Sequence, residues 1–538
     1  MLADFKVAFR ALVRQPVLST VALATLVLGI GANTAIFSLV KGVLLDSLPY
    51  EASEELVVLR EQKPQGGTDS VAPPTYVDWK SRTSTIESMA AFRHVRYGFR
   101  SANEPLDLPS LRATPELFDV LRSSALLGRT FTEEEGTPGM DKVAVLSHGM
   151  WQQHFGSDRG VLGRQIELDA VLYTVIGVMG EGFAFPPGND INLWTPLAFD
   201  PNDAHGRSRQ ARSLSVVGRL KSGTSVEQAR EEMSAIAAAL AEEYPDTNFG
   251  WGAVTESAHE QMVETIRPAL LMLLAAVGFL LLIVCANVAS LMLARLATRR
   301  REVALRAALG AGRFALMRQV MAESILLSGA GAILGLGVAW FGIRIVRNSP
   351  VANVPRLDQI GLDGGVLLFT AVVSVVVALG FGLLPAIRAS SPQLRDSLNE
   401  NARGGSLKAR RALNAIVAAE VALALVLLIG AGLTIRSFRE MMSVDPGFHP
   451  DHVMATQIYL PRAKYVDSES RLRFFRDTLE RLRATPGVVS AGAASSLPMH
   501  PVGIDFALPF TIEGKTRRRP EKSRAPISGP RPRVISRP

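Results

Sequence analysis

The sequence predicts an α-helical polytopic membrane protein with about five transmembrane helices and a large extracytoplasmic α+β domain. Three observations predict it. There are five apolar runs of the ~20 residues that crossing hydrocarbon requires. Residues 42–265, between the first run and the second, contain no such run, and Lys and Arg gather on one side of the runs.

The organising stretch is 266–390. Pro268 to Ala294 carries no charge and predicts a transmembrane helix over 268–294. A second run over 320–346, apolar from Ile325 to Ile345, has Gly331 and Gly335 four apart for close helix contact. Between them lie Arg295, Arg299, Arg300, Arg301, Arg306, Arg313 and Arg318 against Glu302 and Glu323, and the positive-inside rule puts this loop in the cytoplasm. Thr298 to Leu309 is rich in Ala, Arg, Leu and Glu and stops at Gly310-Ala311-Gly312, where a left-handed cap costs little. A short helix at the membrane surface is expected there. The segment NVASLMLARLATRRREVALRAALGAGRFALMRQVMAES resembles the cytoplasmic coupling segment of FtsX/MacB-type ABC transporter permeases. The resemblance implies that Arg301, Glu302, Val303, Leu305, Arg306, Leu309, Gly310 and Arg313 dock on a separate ATPase.

Composition agrees with a membrane protein bearing sizeable water-facing parts: 538 residues, 48% hydrophobic, mean hydropathy +0.19. The net charge of +8 is not a nucleic-acid signal. Lys515 to Pro538 holds nine basic residues against one Glu, which leaves the rest of the chain neutral. The lone Cys285 lies inside an apolar run, so the chain forms no internal disulfide and no cysteine metal site.

At the N-terminus, residues 1–16 carry Lys6, Arg10 and Arg14 and lead into an apolar run over 17–41. A basic start and apolar core also describe a signal peptide, but the run continues through Ile36 to Val40 to full spanning length. Gly31 and Ala35 offer a small-xxx-small packing face. LGIGANTAIFSLVKGVLL resembles the first membrane helix of the same permeases, in the acidobacterial duplicated orphan branch.

With those three cations inside, the 42–265 domain is expected outside the cytoplasm. Val143 to Gly156 suggests a strand and a short helix. Arg164 to Asp169 and Leu172 to Met179 suggest strands about a turn at Ala170-Val171, and Ser213 to Leu220 a further strand. Thr224 and Glu227 stand at capping-box spacing ahead of a helix whose apolar face is Val226, Ala229, Met233, Ile236 and Leu240. The run from Asp141 to Leu168, with YTVIGVM and LWTPL behind it, resembles the MacB-like periplasmic core domain. That resemblance implies an inserted subdomain near 113–205.

A span over 366–389 goes inward, residues 391–412 are a cytoplasmic linker with a flexible point at Gly404-Gly405-Ser406, and a fifth span over 413–435 goes outward. The resemblance implies that 436–514 begins a second core domain, as in the duplicated permeases. Residues 515–538, proline-rich with almost no apolar residues, are expected to be a basic disordered tail, either the product of a truncated second half or a basic arm that holds acidic lipid headgroups or cell-wall polymer.

Other chemistries find little support. The nearest phosphate-loop match, Gly514-Lys515-Thr516, has Pro509 where its first glycine belongs and no helix after it. His148 and His154 flank Trp151 without metal-ligand spacing. Glu420 lies inside the fifth run, either as a gating group or paired to a polar neighbour such as Asn287.

The expected function is a permease subunit of an ABC-type export or mechanotransmission system in a bacterial inner membrane. It is no enzyme and has no cofactor of its own, ATP being bound by a cytoplasmic ABC ATPase dimer. The resemblance leaves room for a second permease copy or an outer-envelope partner, with membrane lipid around the helices and no nucleic acid. The alternative is an FtsX-like signalling or scaffold protein that regulates an extracytoplasmic partner without moving cargo.

Overall fold

The computed structural model describes residues 2–100, 105–199, 208–298, 313–348, 360–389, 405–444 and, with short gaps, 452–494. The expected surface helix ending at Gly310, the region near Gly514 and the basic tail lie outside them. Residues 1–168 and 172–433 make one compact unit, and 169–171 with 434–538 another.

The chain opens with α1 (Leu2–Val13), an amphipathic helix within the stretch that the sequence marks only as a basic N-terminus. Its Ala8 and Ala11 are buried against the membrane helices, while Val7, Phe9 and Val13 are exposed. Pro16 starts α2 (Pro16–Val40), where proline's missing N–H costs nothing. The helix runs on through a π-turn, Lys41–Leu45.

The core domain then forms one mixed sheet, eleven-stranded among the described residues. In chain order its elements are β1 (Leu56–Gln62), β2 (Thr68–Asp69), α3 (Pro73–Arg82), β3 (Ile86–Arg100), β4 (Pro105–Ala113), β5 (Ala125–Gly128), β6 (Val143–Leu146), α4 (His148–Phe155), β7 (Gln165–Leu168), β8 (Val171–Met179), β9 (Leu193–Pro196), β10 (Ser215–Leu220), α5 (Val226–Glu243), β11 (Gly252–Ser257) and α6 (Ala258–Val263). The strand order is β11-β1-β10-β3-β4-β9-β6-β8-β5, with β2 on β1 and β7 on both β3 and β8.

Period-two alternation gives the sheet a core on each face. Val57, Leu59, Met89, Ala91 and Val216 face α3 and α5 through Tyr76, Trp79, Ala229, Met233 and Leu240. Leu56, Ala90, Phe92 and Val217 face the other way, onto Phe118, Phe185 and Trp194. That second core joins residues on both sides of position 113. The 113–205 segment, expected as an inserted subdomain, extends the same sheet with β5 to β9 and contributes to this second core.

Two local registers move by one residue. The β7–β8 turn is Asp169-Ala170, both at positive φ, rather than Ala170-Val171, because Asp tolerates the left-handed region and β-branched valine does not. The cap of α5 is Ser225, whose hydroxyl accepts from the Gln228 N–H while the Gln228 side chain accepts from the Ser225 N–H. Thr224 and Glu227 carry the same spacing one residue early, and the helix starts where Ser225 can turn its hydroxyl back onto the first turn.

Next come α7 (Arg267–Thr298), α8 (Arg313–Arg347), α9 (Gly364–Ala389) and α10 (Gly405–Ser443). Gly405 and Ser406, expected in a flexible linker, are helical, because LKARRAL behind them is made of good helix formers. Among the described residues five helices are long and apolar enough to cross a membrane: Pro16–Leu45, Arg267–Arg295, Met317–Arg347, Gly364–Leu383 and Val417–Ser443. No side chain of the last is buried. In the second unit, α11 (Ser468–Ala484) is capped by Asp467, which accepts from the Ser470 N–H at 2.6 Å, and no strand occurs among the described residues of 445–494.

Candidate functional site

Three membrane helices, α7, α8 and α9, pack around α2, and small residues decide how closely. A Cβ on Gly31 would stand 2.9 Å from the Gly335 carbonyl oxygen, and one on Gly335 would stand 3.1 Å from the Gly31 nitrogen. Gly331 meets Leu26 in the same seam, where a Cβ would lie 2.9 Å from the Leu26 Cβ. The two motifs singled out on separate helices thus form one contact, while Ala35 is only half-buried beside it. Phe37 stacks on Phe369 with ring centroids 3.8 Å apart.

Several polar groups inside this bundle hydrogen-bond across helices, as a water-free medium favours. Asn33 donates to the carbonyls of Gly29 (2.9 Å) and Val277 (2.8 Å), tying α2 to α7. Thr34 and Thr370 share a hydrogen bond of 3.0 Å, tying α2 to α9. Ser328 donates to the Ser374 carbonyl at 2.6 Å, tying α8 to α9.

At the end of the bundle next to the 299–312 segment, Arg295 is 3% exposed. It donates to the Ala11 carbonyl of α1 and lies 3.9 Å from the Glu323 carboxylate. By sequence, Arg295 counts among the loop arginines that set topology. In the structure it closes α7 onto α1 and α8, a role its place at the edge of a basic run conceals. Arg301, Glu302, Val303, Leu305, Arg306, Leu309 and Gly310 lie outside the described residues, and Arg313 is the first residue of α8.

Glu420 is half-buried on α10 and Asn287 is exposed on α7. No hydrogen bond joins them among the described residues, so the suggested pairing is not made. The reason is that α10 buries none of its spanning window.

At the opposite end the bundle meets the core domain. Lys41, in the π-turn, donates to Asp46 (2.8 Å) and to Asp363 (2.6 Å). Asp363 also accepts from the Val366 N–H at 2.9 Å, capping α9. These two hydrogen bonds, Lys41 first, hold its carboxyl below the usual range. Beneath the pair, Val43, Val263, Ile343 and Ile360 form an apolar joint between α2, α6, α8 and the segment before α9.

Arg219 carries the joint into the sheet. It is 1% exposed and donates to the carbonyls of Glu51 (3.0 Å), Ala52 (2.9 Å) and Val120 (2.8 Å) and to Glu55 (3.1 Å). The segment leaving α2 is therefore clamped to the middle of the sheet. Tyr50 adds a hydrogen bond of 2.5 Å to the Ala184 carbonyl. Sequence reading missed Lys41 and Arg219. The available signal was weak, a cation at the end of an apolar run and a lone Arg in an otherwise apolar strand.

His148 stands edge-on to Trp151 (5.5 Å), and the exposed His154 stands edge-on to Phe99 (5.9 Å).

Comparison with known proteins completes the site. The family described as MacB-like periplasmic core domain matches residues 19–236, and the family described as FtsX-like permease C-terminal matches 274–394. The chain is 25% identical over 317 residues to the macrolide export ATP-binding/permease protein MacB of Bdellovibrio bacteriovorus, covering 58% of this chain and 47% of that protein. It is 27% identical over 244 residues to the probable syringafactin export ATP-binding/permease protein SyfD of Pseudomonas syringae pv. tomato, covering 45% of this chain and 35% of that protein. The chain thus spans about half or less of the length of these curated relatives. The crystal structure of the periplasmic region of MacB from Actinobacillus actinomycetemcomitans aligns with 42% of this chain and 95% of its own at 15% identity and TM-score 0.31. With both families matched in order along one chain, around five helices of spanning length, the protein carries the domain arrangement of a MacB/FtsX-like ABC permease.

Proposed function

We propose that the chain is the permease subunit of an ABC-type export or mechanotransmission system, in which a separate cytoplasmic ATPase dimer acts on residues 295–318. Nucleotide turnover there shifts α7 and α8, and α2 carries the displacement to the extracytoplasmic core domain. The N-terminus is cytoplasmic and the membrane is the bacterial inner membrane, as the Lys and Arg distribution supports.

One observation carries this reading. Contacts are spaced along the chain from α1 to the sheet: Arg295 on Ala11 of α1, Gly31 of α2 on Gly335, Lys41 at the end of α2 on Asp363, and Arg219 on the 51–55 segment beyond it. Packed interiors transmit displacement because they resist compression. The names of the relatives, which join ATP-binding to permease, support an ATPase as the driver.

The test is to co-express the chain with a candidate ABC ATPase and to measure ATP hydrolysis in nanodiscs. Glu302→Lys and Gly310→Val in the docking segment should abolish stimulation. Lys41→Gln should leave ATP hydrolysis intact and remove its effect on spin-label distances within the core domain. Unchanged stimulation in both docking variants would overturn the proposal.

A further inference from the structure

A slot of about 370 Å³ opens on the sheet face where both membrane connections enter the core domain, between α6 and the loop holding Phe185 and Pro186. That volume is at the lower end of the range for small-molecule sites. Strand register explains its lining. Val58 lies opposite Val217 and Leu59 opposite Val216, so Leu56, Val58 and Arg60 of β1 share one face with Val217 and Ser215 of β10.

The slot is therefore graded along β1. Near the membrane its walls are Tyr50, Leu56, Phe92, Phe185, Val217 and Met262. Farther along they are Arg60, Ser215 and His94, with Asn189 and Gln261 also lining the cavity. The charges at the polar end are already compensated. Arg60 pairs with Glu256 at 2.5 Å, and Asp69 with Lys63 at 3.2 Å. What remains is hydrogen-bonding capacity, offered by the Ser215 hydroxyl with His94, Asn189 and Gln261 around it.

From this arrangement we propose that the slot binds a compact, uncharged amphiphile. Its apolar body rests on Tyr50, Leu56, Val217 and Met262, and an ether, ester or hydroxyl oxygen accepts from the Ser215 hydroxyl. A carboxylate or phosphate head would add an uncompensated charge next to Glu256 and Asp69. The inference stands apart from the ATPase reading, because it concerns binding at equilibrium with no nucleotide present.

The test is photolabelling of the full chain in nanodiscs, with a medium-chain monoacylglycerol bearing a chain diazirine, followed by peptide mapping. Label should appear on 48–60, 214–217 and 258–262 as well as on the membrane helices. Ser215→Trp, which fills the slot from its half-buried rim, should lower slot labelling about five- to tenfold. Labelling of the membrane helices should be unchanged and reports that the variant is folded. If Ser215→Trp fails that control, Gln261→Trp fills the slot from α6 with the same expected loss. Label confined to membrane helices in the wild type, or slot labelling unchanged in the filled variant, would overturn the site. Equal slot labelling by the matching free fatty acid would overturn the uncharged head.

Discussion

Gly31 and Gly335 touch backbone to backbone, since a Cβ added to either one would fall within 3.1 Å of the other's main chain. No side chain fits between α2 and α8 at this point. Gly31→Leu must push the helices apart, and overpacking of this kind costs about 1–3 kcal/mol. The sole cysteine, Cys285, sits half-buried in the cluster that α2 shares with α7. Its thiol should therefore react faster with maleimide in Gly31→Leu than in wild type, while membrane insertion stays normal. An unchanged rate would show that the seam tolerates separation.

Arg219 should be irreplaceable by lysine. Its guanidinium serves four acceptors on two separate segments, a fork that one ammonium cannot reproduce. Arg219→Lys should cost about 2–4 kcal/mol, given what breaking a buried charged network usually costs. Hydrogen exchange should localise the loss at 51–55 and 120, ahead of the rest of the sheet.

Acid sensitivity should trace in part to Glu232. Burial raises its pKa, but hydrogen bonds from the side chains and N–H groups of Ser84 and Thr85 outweigh this and hold it at about 2, against an ordinary 4.5. A folded-state pKa depressed in this way contributes stability that is fully present above pH 4.5 and is lost as pH falls toward 2. The contribution is about 1–2 kcal/mol after allowance for solvent screening. Glu232→Gln should be less stable than wild type at neutral pH and should show a shallower loss below pH 4.5. Parallel acid limbs for the two proteins would refute the assignment.

Topology is open to direct measurement. Gly160 is exposed on the core domain, and Gly160→Cys in a Cys285→Ala background should react with an impermeant maleimide in intact spheroplasts. Labelling only after lysis would reverse the orientation drawn from the arginines.

Much of the architecture was legible because it rests on local properties. Spanning length and charge asymmetry are sums over neighbouring residues, so all five helices could be read directly, together with the apolar face of α5 and the strands β6 to β8 and β10. The small-residue pairs at Gly31 and Gly331–Gly335 were visible as motifs on their own helices. That they meet each other was decided by the tertiary structure, because a helix face does not encode its partner. The same holds for Lys41 with Asp363, 322 positions apart, and for Arg219 with the 51–55 segment. In each case a charge is stabilised by acceptors that only the fold brings within reach. Within 113–205 the strands β6 to β8 were readable one by one, but the hydrogen bonding between β4 and β9 that joins them to the rest of the sheet is long-range pairing, which leaves no trace in sequence periodicity.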